Sequence, residues 1–180
     1  MIIKPPKRFG RRYPIRPHKG KLVETVVLKF PDLVFWMAEK NPPYGSEWLP
    51  DYIQKCVDLF EAKPLTKFCG GKVNGHNCTK TATRFALYPD SAQPTYWCAT
   101  CDPYQLGSTQ TLTISDSYYD ALFHVWATTS RNRTSYRNLI KDLAEAKGLT
   151  GSLTEKKIIQ FFYGADAKPV APMVGDDDDV

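Results

Sequence analysis

The sequence predicts an α+β protein in which a cysteine-bearing module is flanked by short N-terminal helices and by a C-terminal helical unit. Two observations predict this arrangement. Glycine, polar residues and four cysteines dominate residues 66–106, whereas apolar residues recur at helical spacing before and after that segment. With 180 residues, of which 42% are hydrophobic and 13% aromatic, the chain can also build a core.

Changes in composition divide the chain into five segments. We expect a basic arm (1–22), a strand–helix–helix unit (23–65), a cysteine module (66–107), a strand plus three-helix unit (108–164) and an acidic tail (165–180). No stretch approaches the roughly 18 apolar residues of a membrane span, and prolines interrupt the N-terminus where a signal peptide needs an apolar stretch. We therefore expect a cytoplasmic protein without membrane partners, in which cysteines stay reduced.

The N-terminal unit is predicted to contain a strand and two helices. Residues 21–29 are rich in valine and leucine, which is typical of a strand. Pro31 and Asp32 begin the first helix, because proline is favoured at the first helical position. The second helix begins near Pro50. Its inner face is predicted to comprise Ile53, Cys56, Val57 and Phe60, with the cysteine as a buried core residue.

The C-terminal unit is predicted to contain a strand and three helices. Residues 108–115 alternate threonine with leucine and isoleucine, which is typical of a strand. Two helices begin near Asp116 and Ser135. A third begins at a capping box formed by Ser152 and Glu155.

The four cysteines of the module form a C-x8-C-x19-C-x2-C pattern: Cys69, Cys78, Cys98 and Cys101. The C-x2-C pair follows a predicted strand, and such a knuckle wraps its backbone around one side of a tetrahedral ion. The eight residues between the first two cysteines are rich in glycine and asparagine, as a loop around a metal must be. Predicted strands at 83–88 and 95–98 favour a zinc-ribbon or treble-clef-like layout.

These ligands predict a structural Zn²⁺ ion, which makes residues 66–107 a zinc-binding module. The module holds few large aliphatic residues, and structural zinc contributes about 10–16 kcal/mol of apparent binding free energy. Four protein ligands leave no open position for a reactive water. His76 is an alternative to Cys78 as a ligand, and four reduced cysteines in a small core are the alternative without a metal.

The net charge of +5 is unevenly distributed, because the two ends of the chain carry opposite charges. Residues 1–22 hold eight basic residues and no acid, residues 176–179 are four aspartates, and the remainder is nearly neutral. A basic arm on a neutral body is typical of a polyanion binder, because neutralising phosphates releases condensed counterions. The arm residues expected to contact nucleic acid, with DNA favoured, are Lys7, Arg8, Arg11, Arg12, Arg16, Lys19 and Lys21. A solvated arm without a specific partner is the alternative.

Three further basic residues complete the expected interface. Lys72 lies in the cysteine module, and Arg131 and Arg133 precede a helix whose N-terminus suits a phosphate. A solvated helix face explains the two arginines equally simply.

Catalytic motifs are missing from the sequence. His18, His76 and His124 lack metal-helix spacing, the acids show no two-metal nuclease motif, and no nucleotide-binding glycine motif occurs. His124 lies in an apolar helix, where a hydrogen-bonded core histidine is expected. We therefore expect a protein that is not an enzyme, and a nuclease is a third class to be tested.

Residues 17–24 (PHKGKLVE) and 31–37 (PDLVFWM) resemble the C-terminal module of exodeoxyribonuclease X-like proteins and similar phage proteins. That pattern is a glycine–lysine turn, a short strand and a helix ending in an aromatic segment with tryptophan, and here it covers residues 13–37. The chain departs from it at 15–17, where Ile-Arg-Pro replaces the family's Phe-Gly. The resemblance implies association with DNA-processing proteins, without a nuclease domain or its catalytic acids.

The overall layout resembles a second family. A basic N-terminal part, a four-cysteine zinc module and a helical end are similar to the small Cas8-like subunit of type IV CRISPR effector complexes. In that family the subunit lies at one end of a guide-RNA filament and helps inspect duplex DNA. The resemblance implies an antiviral-defence subunit that binds DNA, guide RNA and other protein subunits. A protein–protein adaptor with structural zinc and a phage or plasmid DNA-processing accessory protein are the alternatives.

Overall fold

The structure is a computed structural model that describes residues 8–15, 17–39, 44–89, 91–128 and 132–171. Within these ranges six α-helices and three small β-sheets form a mixed fold, which confirms the predicted α+β class. None of the helices in this described part is long and apolar enough to cross a lipid bilayer.

Helix α1 (Val23–Lys29) lies at the centre of the fold and contacts the five other α-helices of the described chain. The strand predicted for residues 21–29 is therefore wrong. Every residue from Val23 to Leu28 is buried, including Glu24 and Thr25, so this helix is enclosed by other parts of the fold. The β-preference of valine is a weak bias, and burial against helices on several sides overrides it.

Helices α2 (Pro31–Glu39) and α3 (Leu49–Glu61) follow the prediction. Proline occupies the first turn of both, as expected from its fixed φ angle. The predicted inner face of α3 is confirmed as well. Its buried residues are Leu49, Ile53, Cys56, Val57 and Phe60.

The middle of the chain forms two antiparallel sheets. Strands β2 (Lys72–Val73) and β3 (His76–Asn77) form a hairpin. Strands β4, β5 and β6 form a sheet of order β5-β4-β6, with bounds Arg84–Leu87, Pro94–Trp97 and Thr113–Ser115. The strand predicted at 108–115 is thus shorter than expected. Its partner β4 has only four residues, and pairing ends where Leu87 meets Thr113.

Helices α4 (Tyr118–Thr128), α5 (Arg133–Ala146) and α6 (Glu155–Tyr163) complete the helical part. The predicted capping box at the start of α6 is wrong, because it places the cap two residues too early. Thr154, not Ser152, caps the helix, because its hydroxyl accepts a hydrogen bond from the Lys157 backbone N–H.

All six helices share one hydrophobic core. Contributors from α1 to α6 in turn are Val27, Val34, Phe60, Leu122, Leu139 and Ile158. A buried hydrogen bond of 2.7 Å from the Tyr118 hydroxyl to the Val27 carbonyl joins α4 to α1. The segments 23–65 and 108–164, which composition separates, therefore pack around a common interior.

The described parts of the basic arm and of the acidic tail pack against the helices. Strand β1 (Arg8–Phe9) pairs in parallel with β7 (Lys168–Pro169). Tyr13 is buried at 2% exposure, and Ala167 is buried beside α6. Residues 8–15 are thus part of the folded body, while residues 1–7 and 172–180 lie outside the described chain.

Candidate metal centre and basic surface

Four cysteine side chains converge beside the three-stranded sheet, and the structure leaves all of them as free thiols. The sulfur atoms of Cys69, Cys78, Cys98 and Cys101 lie within 4.8 Å of one another, and all four residues are buried. In a tetrahedral zinc site with Zn–S bonds of 2.3 Å, sulfurs lie about 3.8 Å apart. The cluster is therefore compatible with a single metal ion, at the four positions that the sequence predicts.

The long spacing between Cys69 and Cys78 is explained by the β2–β3 hairpin. Its turn consists of Asn74 (φ 51°) and Gly75 (φ 81°), and two consecutive positive φ angles define the tight turn that suits a two-residue hairpin. The returning strand brings the Cys78 N–H to 2.8 Å from the Gly71 carbonyl oxygen. A hairpin, in place of the usual short loop between two ligands, thus brings Cys69 and Cys78 together as the first half of the site.

Gly71 is required for close approach to the second half of the site. A Cβ at this position would lie 2.8 Å from both the Cβ and the Sγ of Cys101. Its N–H also donates a hydrogen bond of 3.3 Å to the Cys69 sulfur. Gly71 is not among the site residues predicted from the sequence, although the Gly-Gly pair directly after the first cysteine is a recognisable signal.

The second half of the site is the turn that follows β5. The Thr100 hydroxyl lies 3.3 Å from the Cys98 sulfur. Hydrogen bonds from Thr100, and the backbone N–H of Cys101, lower the pKa of Cys98 to about 6. Burial and the neighbouring sulfurs raise the pKa of Cys101 to about 12. Four adjacent thiols resist complete ionisation, and a bound cation removes that resistance.

A second, small hydrophobic cluster surrounds the cysteines. Apart from the four sulfur residues, its buried members are only Ala86, Trp97 and Leu112. So few apolar side chains give little packing energy, which fits the expectation that a cross-link holds this part of the chain. His76 is exposed on β3 and is not part of the converging group.

Arg12, which is predicted from the sequence to contact nucleic acid, is held within the folded body. Its side chain is 8% exposed, and its guanidinium lies 2.7 Å from the Glu155 carboxylate. It also donates to the carbonyl oxygens of Gly20 and Val170 at 3.0 and 2.7 Å. The positive charge of Arg12 is therefore paired with Glu155 within the fold.

The other predicted contact residues have varied positions. Arg11 is exposed, with its guanidinium carbon 4.4 Å from the Trp48 ring centroid. Lys19, Lys21 and Lys72 are exposed, and Arg8 contributes its backbone to β1. Arg133 is 77% exposed and lies 3.4 Å from Asp32. Three residues lie outside the described chain: Lys7, Arg16 and Arg131.

The cysteine module presents an exposed surface that is basic and aromatic. Lys67, Lys72 and Lys80 are all exposed there. Phe68 is 74% exposed and lies directly before the first cysteine. Phe68 is not among the site residues predicted from the sequence, although a large aromatic residue in a segment poor in aliphatic side chains is a detectable signal.

His124 is a hydrogen-bonded core residue, as predicted. Its Nε2 lies 2.7 Å from the Tyr88 carbonyl oxygen, and its Nδ1 lies 3.1 Å from the Thr113 hydroxyl. Both ring nitrogens therefore have partners within the fold.

Comparisons of this chain with protein-family models, with curated proteins and with solved structures give no match. The two family resemblances stay predictions, and the site is interpreted from its own geometry.

Proposed function

We propose that the protein binds nucleic acid, with DNA favoured, through a module stabilised by zinc, and that it acts without catalysis as a subunit of a larger nucleoprotein complex. One observation carries this proposal. The segment that supplies four buried, converging cysteines also carries three exposed lysines, Lys67, Lys72 and Lys80.

Zinc is the metal that this donor set favours. Four thiolate donors select zinc or iron–sulfur chemistry over magnesium or calcium, and a closed four-cysteine set is typical of structural zinc. The hairpin on one side, the turn after β5 on the other, and the adjoining antiparallel sheet fit a zinc-ribbon layout. A complete ligand set also supports a structural role rather than a catalytic one.

Exposed basic residues support binding to phosphates. The three lysines of the module are joined by Arg11, Lys19 and Lys21 on the N-terminal segment. Each contact with a phosphate releases condensed counterions, which provides affinity without sequence specificity. Arg12 is left out of this set because Glu155 holds its guanidinium.

The two sequence resemblances favour DNA handling inside an assembly. The exodeoxyribonuclease X-like pattern suggests DNA-processing partners. The Cas8-like layout suggests a CRISPR-type effector, with guide RNA and protein subunits as further partners.

The salt dependence of binding tests the proposal. Zinc content is measured by elemental analysis, and affinity for labelled DNA is measured by fluorescence anisotropy between low and physiological salt. If the six exposed basic residues all contact phosphates, log K falls against log salt with a slope of about −5 for duplex and about −4 for single strands. The double variant Lys67→Glu and Lys80→Glu should lose much of the binding. Lys156→Glu, an exposed control on α6, should not. A flat salt dependence overturns the proposal.

An exposed aromatic surface favours a protein–protein adaptor as the second candidate. Phe123 is 58% exposed and stacks on Trp126 with a ring-centroid distance of 5.6 Å. Trp36 is 45% exposed. Large exposed aromatic residues are typical of protein interfaces. A Phe123→Ser variant that loses protein partners, in a protein that binds no nucleic acid, would favour this candidate.

A further inference from the structure

Phe68 has an unusual position for a large aromatic residue. It is 74% exposed, although burial of such a ring stabilises a protein. The backbone holds it there. Phe68 is paired with Thr81, and the neighbouring Cys69 N–H donates to the Lys80 carbonyl oxygen at 2.9 Å. The ring is thus fixed at the surface by the same segment that supplies the first cysteine.

A groove of about 520 Å³ opens beside this ring. Its lining residues are Phe68, Cys69, Gly70, Gly71, Asn77, Cys78 and Thr79. Gly70 is exposed at the groove and leaves its backbone open there, whereas Gly71 is buried against Cys101. The exposed side chains of Asn77 and Thr79 offer hydrogen-bond donors and acceptors at the same groove. An aromatic ring, open backbone and two adaptable polar groups are what recognition of an unpaired base requires.

The charge in and beside the groove determines which ligands it can bind. None of its lining residues is acidic or basic, and two of the cysteines border it. With zinc bound, four thiolates and one divalent ion leave a formal charge of about −2 beside the groove. This charge disfavours a phosphate in the groove itself, whereas a neutral aromatic base is accepted.

Three lysines are neighbours of groove residues in the chain or across the hairpin. Lys67 precedes the phenylalanine, Lys80 follows Thr79, and Lys72 is the cross-strand partner of Asn77. These three exposed lysines are the nearest cationic residues along the chain for the phosphates that adjoin a base in the groove.

We propose that this groove binds one unpaired nucleobase, stacked on Phe68, with the adjoining phosphates on the flanking lysines. This inference rests on the proposed function and specifies its ligand as single-stranded nucleic acid. A base inside a duplex is stacked between its neighbours and cannot enter the groove.

The test uses the full-length, zinc-loaded protein and labelled oligonucleotides that contain a single 2-aminopurine. Base stacking on an aromatic side chain corresponds to about a 5- to 140-fold change in affinity on alanine substitution. Phe68→Ala should weaken single-strand binding by a factor in this range, abolish the fluorescence change of 2-aminopurine, and leave duplex affinity unchanged. Phe68→Trp should retain both the affinity and the signal. Because the side chain is exposed, both variants should keep their zinc.

The variants separate failure of this inference from failure of the proposed function. The base site is overturned if Phe68→Ala binds single strands like the unchanged protein while the Lys67→Glu and Lys80→Glu double variant loses binding. In that case the proposed function survives. A Phe68→Ala variant that loses a protein partner but keeps its nucleic-acid affinity also overturns the base site. Absence of binding to both single strands and duplex by the unchanged protein overturns both proposals.

Discussion

The guanidinium of Arg12 lies 2.7 Å from the carboxylate of Glu155 and connects the N-terminal segment to helix α6. The same side chain donates to the carbonyl oxygens of Val170 and Ala171, at 2.7 and 3.3 Å, near the end of the described chain. Arg12 therefore connects both terminal segments of the described chain to helix α6. Its neighbour Arg11 points its charge at the surface, over the ring of Trp48.

These two adjacent arginines should respond differently to substitution. Arg12→Ala leaves several part-buried acceptors without their donor, so it should lower the free energy of unfolding by about 1–3 kcal/mol. Arg11→Ala removes only exposed cation–π contacts with Trp48 and Tyr52, and such a contact is worth about 0.5–1 kcal/mol. It should instead weaken nucleic-acid binding and reduce the salt slope by about 1. Urea denaturation and anisotropy measure the two effects, and an Arg12→Ala protein of unchanged stability would contradict the structural role.

Loss of a single metal ligand should unfold the module locally. Cys98→Ser should abolish stoichiometric metal binding, because the remaining three sulfurs no longer complete the tetrahedral set. The cysteine cluster is separate from the main core, so far-UV circular dichroism of the helices should persist. Amide signals of residues 66–82 and 98–107 should lose their dispersion in NMR spectra.

Cys56→Ala is the matched control for this experiment. Cys56 is fully buried in α3, outside the four-sulfur group. The substitution removes one buried sulfur and should lower the unfolding free energy by about 1–2 kcal/mol, with metal binding unchanged. Equal metal content in the Cys98→Ser and unchanged proteins would show that the four cysteines do not hold an ion.

Sequence reasoning succeeded where one local signal decides the structure. Pro31 marks the start of a helix, and the C-x2-C spacing at 98–101 marks half of the converging four-cysteine cluster. It failed where contacts between distant parts of the chain determine the structure. The valines of α1 favour a strand locally, but burial on all sides makes the segment a helix. Arg12 is one of eight basic residues in 1–22, and only the folded position of Glu155 distinguishes it. The exposure of Phe68 is likewise a property of the folded surface.

The two glycines after the first cysteine should differ in their tolerance of alanine. A Cβ at Gly71 would approach the Cys101 sulfur to 2.8 Å, whereas a Cβ at Gly70 would lie 3.6 Å from the nearest atom, the Tyr96 carbonyl oxygen. Gly71→Ala should therefore displace a metal ligand and weaken metal affinity by about 10- to 100-fold. Gly70→Ala should bind metal normally. Competition with a chromogenic chelator measures both affinities, and equal values for the two variants would contradict the close approach.

A buried carboxylate and two tyrosines should make the protein sensitive to alkaline pH. Glu24 is fully buried, and its Oε1 accepts hydrogen bonds from the hydroxyls of Tyr52 and Tyr163 at 2.9 and 2.7 Å. Burial, reinforced by the charge of Glu24, raises the pKa of both tyrosines above the usual value near 10. The folded state therefore holds these protons at a pH where the unfolded state has released them. The resulting stability is present below pH 10 and is lost as the pH rises further.

Substitution of Tyr163 tests this cluster. Tyr163→Phe removes one donor from the buried carboxylate, so the free energy of unfolding at pH 7 should fall by about 1–3 kcal/mol. The decline in stability above about pH 10 should also become shallower, because one raised pKa is gone. Tyr44→Phe, at a fully exposed position, should change neither quantity. Urea denaturation between neutral and alkaline pH measures both effects. Identical pH profiles for the Tyr163→Phe and Tyr44→Phe variants would show that the Glu24 hydrogen bonds contribute nothing to stability.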